Sequence, residues 1–71
     1  MDVLRIGLLV TDYLGNTKGE FAYYTLSDAM RKIADLISWP DTKVYVYNTD
    51  RTGARTGNTT ALVTANGWEN L

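Results

Sequence analysis

Apolar and polar residues alternate through residues 3–13. Leu4, Ile6, Leu8 and Val10 fall on one side of an extended chain, and Arg5, Gly7, Leu9, Thr11 and Tyr13 on the other. A period of two predicts a strand with one buried face. LGNTKG, with two glycines and an asparagine, predicts a hairpin loop. Residues 20–24, EFAYY, are aromatic-rich and predict a second strand antiparallel to the first. The period then changes. Leu26, Met30, Ile33 and Ile37, with Ala29, Ala34 and Leu36 beside them, form one apolar stripe at helical spacing, and Arg31, Lys32 and Asp35 fall opposite. Thr25 stands three residues before Asp28, which predicts a capped helix start with Thr25 as N-cap and Asp28 at N3. An acid there also suits the positive end of the helix dipole. Pro40 predicts the helix stop, since Trp39 before it is pushed out of helical geometry.

KVYVYN, residues 43–48, predicts a third strand with Val44 and Val46 on one face and Lys43, Tyr45 and Tyr47 on the other. NTDRTGARTGNT, residues 48–59, has no large apolar side chain and predicts a long polar hairpin connection. TALVTA, residues 60–65, predicts a fourth strand pairing back on the third. Asn66-Gly67 marks a turn before a short tail. Neither an internal repeat nor a linker is expected. The order is ββαββ: an α+β fold in one domain, residues 1–71, with a four-stranded antiparallel sheet and one helix packed on one face. The helix is expected to cover Leu4, Ile6, Leu8, Val10, Val44, Val46 and either Leu62 or Val63.

One helix covers one face. The other face is expected to carry Arg5, Leu9, Tyr13, Lys43, Tyr45, Tyr47 and one of Tyr23 or Tyr24. Monomers seldom leave a large apolar patch bare, and Tyr and Arg dominate protein interfaces. The same tyrosines could stack the bases of a single-stranded nucleic acid, and a tyrosine-rich solvent face is also what strand propensity alone would give.

Composition narrows these readings. The 71 residues include no cysteine and no histidine, so thiolate metal sites, disulfides and the commonest general base are absent. A formal charge of −1 gives no strong electrostatic footprint for nucleic acid or an anionic membrane. Asp2 and Arg5 interrupt the N-terminal apolar run, which argues against a secretion signal, and a cytoplasmic protein is expected. Gly53 and Gly57 lead into a strand with no following Lys, so they do not form a phosphate loop. Asn48, Asp50 and Thr52 precede Gly53 like a calcium loop, but Thr59 stands where the bidentate Glu belongs. Asn58-Thr59-Thr60 matches a glycosylation sequon without a secretion signal. Asp12 reads as a turn residue and Asp28 as a cap. No constellation of nucleophile and base can be argued from spacing, so neither an enzyme nor a cofactor is expected. Arg51 and Arg55 sit four apart in the polar loop, either as a charged arm for a partner or as solvated charge at a hairpin tip.

The segment FAYYTLSDAMRKIADLISWPDTKVYVYN, a strand followed by T-L-x-D-A opening a helix and then a β-branched strand, resembles small bacteriophage-encoded accessory proteins, including inhibitors of host RNA polymerase and anti-defence proteins. The similarity covers about residues 20–48. It implies a non-enzymatic protein that binds and blocks a larger host protein, and it transfers no functional residue. The expectation is therefore a protein-binding accessory or inhibitor protein. Its partner would be a host protein or a second copy in a homodimer, gripped through Tyr13, Tyr45, Tyr47, Arg5, Lys43, Arg51 and Arg55. The alternatives are a single-stranded nucleic-acid binder using the same tyrosines and a self-assembling structural subunit.

Overall fold

A computed structural model describes residues 5–71. Val3 and Leu4, assigned to the first strand and its core face, lie outside them. The elements run β1 (Arg5–Thr11), β2 (Thr17–Tyr23), α1 (Leu26–Leu36), β3 (Lys43–Thr49), β4 (Arg55–Thr64) and β5 (Gly67–Asn70). They form an antiparallel sheet of five strands in the order β2-β1-β3-β4-β5, with the helix on one face. The α+β architecture is the expected one. The count differs by one, because the tail after Asn66-Gly67 pairs with β4 as an edge strand, Val63 opposite Trp68.

β1 is antiparallel to both β2 and β3, so β2 and β3 run parallel with β1 between them. Parallel strands need a crossover, which the helix supplies. It begins as its sequence predicts: the Asp28 N–H donates to Thr25 Oγ1 at 3.1 Å, with Thr25 extended at φ −127° and ψ 152°. It ends at Leu36, before Pro40, and the Ile37 and Trp39 amides close its last turn onto Ile33 and Leu36 carbonyls. Ala29 and Ile33 enter a core built from Leu8, Val10, Val44, Val46, Ala61 and Val63. Of the two candidates in the fourth strand, Val63 faces the helix, in register with Val44, and Leu62 lies on the opposite face. Tyr23 pairs with Ile6 and packs against the core, so it belongs to the helix face rather than the open one.

The expected connection of about ten residues is much shorter. β3 continues through Thr49 and β4 starts at Arg55. The reason is Asp50, whose carboxylate accepts the Thr52 and Ala54 amides (2.8 and 3.0 Å) and the Thr52 hydroxyl (2.6 Å). Gly53, at φ 90°, then closes the turn in a region costly for other residues. The first hairpin is built the same way and turns earlier than its glycines alone suggest. Asp12 accepts the Leu14 and Asn16 amides at 2.9 Å each, and Gly15 sits at φ 92°. In both hairpins the preceding threonine is buried and donates to the aspartate carbonyl, Thr11 at 3.0 Å and Thr49 at 3.1 Å.

The chain therefore does contain a repeat. Thr11, Asp12, Gly15 and Gly19 recur at the same spacing as Thr49, Asp50, Gly53 and Gly57. The first pairs beyond each turn correspond, Thr11 opposite Thr17 and Thr49 opposite Arg55. Leu8 and Val46, equivalent in the repeat, face each other across β1 and β3, so the two hairpins are related by a local two-fold axis through that pair. The spacing of Gly53 and Gly57, which made no sense as a phosphate loop, is the spacing of a hairpin turn and its bulge.

Asn16 and the turn amides hold the Asp12 carboxyl below the usual carboxylate range, and Thr52 and its turn amides do the same for Asp50. A folded pKa below the unfolded one gives stability that is complete above the ordinary value of 3.8 and is lost as pH falls through the lower folded values. Urea unfolding midpoints should thus drop on acidification. The drop should shrink in an Asp12→Asn/Asp50→Asn double variant, and parallel losses in both proteins would contradict the assignment.

Candidate functional site

The face away from the helix is the candidate site. Strand pairing aligns one side chain from every strand in a row across it: Glu20, Leu9, Tyr45, Leu62 and Glu69. Leu9, Tyr45 and Leu62 are half-buried, and the two glutamates at the ends are exposed. Strands lie about 4.8 Å apart, so the glutamates stand on the order of 19 Å from each other with the apolar segment between them.

Tyr47, one pleat along β3, takes no part in that apolar row. It is 8% exposed. Its cross-strand partner is Gly7, and a Cβ at Gly7 would collide with the Tyr47 ring, so the ring lies flat over bare backbone. The Arg55 guanidinium covers its other side at 5.1 Å from the ring centre. Arg55 is itself fixed, donating from Nε to the Gly57 carbonyl at 2.9 Å and from Nη2 to Thr59 Oγ1. Burial pushes the Tyr47 hydroxyl up from its ordinary pKa, the nearby Glu20 charge adds to that, and Arg55 opposes it. Beyond the Tyr47 ring lies a small polar depression bordered by Glu20, Ala22 and Gly53.

At the opposite end of β3 the Lys43 ammonium sits 5.3 Å from the centre of the Tyr13 ring. Tyr13 is half exposed, and its amide donates to Asp41 Oδ1 at 2.9 Å. That bond ties the first hairpin tip to the segment leading into β3, where Asp41 adopts φ 56°, a left-handed conformation uncommon outside glycine. Lys18 reinforces the tie, reaching Thr42 Oγ1 at 3.3 Å.

The residues singled out from the sequence thus separate into groups. Tyr13 with Lys43, and Tyr47 with Arg55, form two cation–ring pairs at the two ends of β3. Tyr45 stands between them as the tyrosine of the central row. Arg51 is exposed in the second turn, and Arg55 is the first residue of β4 rather than part of a loop. Arg5 lies on β1 opposite Thr49. Sequence reasoning missed Leu62, Glu20 and Glu69. The signal for Leu62 was present, since its parity follows once Val63 is matched to Val44. Nothing in the sequence placed the two glutamates in one row, because that depends on the register of strands far apart in the chain. No protein-family model matches the chain, and no curated protein or solved structure is significantly similar to it.

Gly7→Ala should cost about 1–3 kcal/mol, the usual price of forcing an extra group into packed structure. In a Tyr47→Val background the same change should cost much less, a coupling measurable by a double-mutant cycle in urea. Equal costs in the two backgrounds would mean that the Tyr47 ring does not rest on Gly7.

Proposed function

We propose that this is a non-enzymatic protein-binding module that docks a larger protein on the open face of its sheet and acts by occupying that protein's surface. The observation that carries the reading is the row Leu9, Tyr45 and Leu62: an apolar strip in the middle of an uncovered sheet face, bounded by Glu20 and Glu69. An aromatic centre with a charged rim is the anatomy of a protein interface. The acidic ends favour a partner that brings basic groups to either side of an apolar stripe.

Lys43 and Arg55 would help in a way different from free anchoring arms. Each already rests over a ring, so little side-chain freedom is lost when a partner arrives. Tyr47 would hold Arg55 in place rather than touch the partner. The coverage of Tyr47 also weighs against base stacking, since Tyr45 alone of the β3 pair then offers part of a ring to a nucleotide. Among the described residues no helix is long and apolar enough to cross a membrane. The accessory or inhibitor role and a bacteriophage origin rest on the sequence resemblance over residues 20–48.

The test is affinity capture from host lysate followed by binding measurements on whatever protein is retained. Leu9→Ala with Tyr45→Ala should keep a native circular-dichroism melt and lose at least about tenfold in affinity, the effect of removing one interface hot spot. Undiminished affinity in that variant would remove the open face as the docking surface.

A further inference from the structure

The two edges of the sheet are unlike. β2 carries Lys18 and Glu20 and pairs with β1 through an irregular register at Val10 and Thr11. The charged side of the helix lies over its aromatics, with the Lys32 ammonium 4.7 Å from the Phe21 ring centre. Charge and irregularity are the usual means of blocking strand addition. β5 has no such irregularity and a single charge, Glu69, on the face away from the helix. It contains no lysine, arginine or proline, and its pairing with β4 is unbroken over four residues.

The Leu71 N–H donates inward to the Thr60 carbonyl at 3.0 Å. Backbone groups alternate along a strand, so Glu69 also points its N–H and C=O toward β4, while those of Trp68 and Asn70 point outward. On the helix face beside this edge runs an open groove of about 250 Å³, lined by Met30, Ala34, Ile37, Val63 and Trp68. Trp68 is 45% exposed and Met30 51%. The groove lining includes no charged side chain.

We propose that two copies of the chain join edge to edge through β5, forming one continuous sheet with both helices on the same side. A two-fold axis brings each group near its own counterpart, so such an interface needs an uncharged centre. An axis perpendicular to the sheet preserves its faces, which leaves Trp68 or Glu69 as the central residue of β5. An axis through Glu69 would set two carboxylates opposite each other. An axis through Trp68 sets indole against indole and lets the outward N–H and C=O of each Trp68 bond those of the other. It also places Glu69 opposite Gly67 of the second copy, away from like charge. The Trp68 Nε1–H already donates to Asn70 Oδ1 at 2.9 Å, so the ring can be buried without stranding a donor. A stable dimer covers about 800 Å² per copy, to which the exposed 45% of Trp68 contributes about 110 Å². The β5 backbone and the exposed part of Met30, which lines the groove beside Trp68, add to it.

Sedimentation velocity from micromolar to millimolar concentration tests the pairing on the full chain. The wild type should reach the mass of a dimer, and Trp68→Lys should remain a monomer throughout. Asn70→Pro removes an outward amide, and with it the Oδ1 that accepts from the Trp68 indole, without touching the β4 ladder, and should weaken the dimer by at least about tenfold. Trp39→Lys, a change at the other and more exposed tryptophan, should leave it intact. A wild type that is monomeric at every concentration overturns the proposal. So does a Trp68→Lys protein that dimerises like the wild type. A monomeric wild type whose Trp68 fluorescence shifts on adding an extended apolar peptide would give the edge to a different strand and likewise overturn self-pairing. Leu9→Ala with Tyr45→Ala should dimerise normally. Loss of the dimer there would move the interface to the open face, which separates failure of the edge from failure of the docking face.

Discussion

The structure depends on the antiparallel pairing of β1 with β3. Leu8 and Val46 meet at its centre, and Val10 meets Val44 one pleat along. Without this pair each hairpin is an isolated two-stranded ribbon, which is marginal at best in water. With it, four strands acquire a common apolar face wide enough to hold Ala29 and Ile33 of the helix. β1 and β3 lie in the interior of the sheet, so their backbone groups are bonded on both sides and the weaker, more polar strands are left to the edges.

The same pairing organises the open face. The alternation that sends Leu8, Val10, Val44 and Val46 toward the helix necessarily sends Gly7, Leu9, Tyr45 and Tyr47 the other way. The absence of a side chain at Gly7 lets the Tyr47 ring lie down and accept Arg55 above it. One tyrosine becomes a support and its neighbour two residues earlier a surface. The division between what holds the face together and what it can offer a partner is thus decided by a single missing Cβ.

The class of fold, the helix with its Thr25 cap, and the sides taken by β1 and β3 were legible because they rest on local periodicity and capping chemistry. The repeat was not. Its recurring residues sit in turns and bulges, while the strands around them keep only their alternation: Ile6-Gly7-Leu8-Leu9 answers Val44-Tyr45-Val46-Tyr47. The extent of β4 was missed because RTGNT has little strand propensity and is drawn into the sheet by the Asp50 turn. β5 was missed because four exposed residues carry no periodic signal, and only pairing with β4 makes them a strand. For the candidate site, the tyrosines and cations could be named from the sequence. Which of them are engaged with one another could not, since ring contacts follow from cross-strand register.

The local two-fold axis also bears on how the chain reaches its native state. Each hairpin is closed by its own aspartate turn and can form from neighbouring residues in microseconds. Neither has anything to bury until the Leu8–Val46 contact brings them together, and that contact must wait for the helix and its flanking segments to close as a loop. Folding speed is therefore governed by this one long-range closure rather than by the turns. The repeated hairpins supply ready-made halves, and the crossover sets the clock.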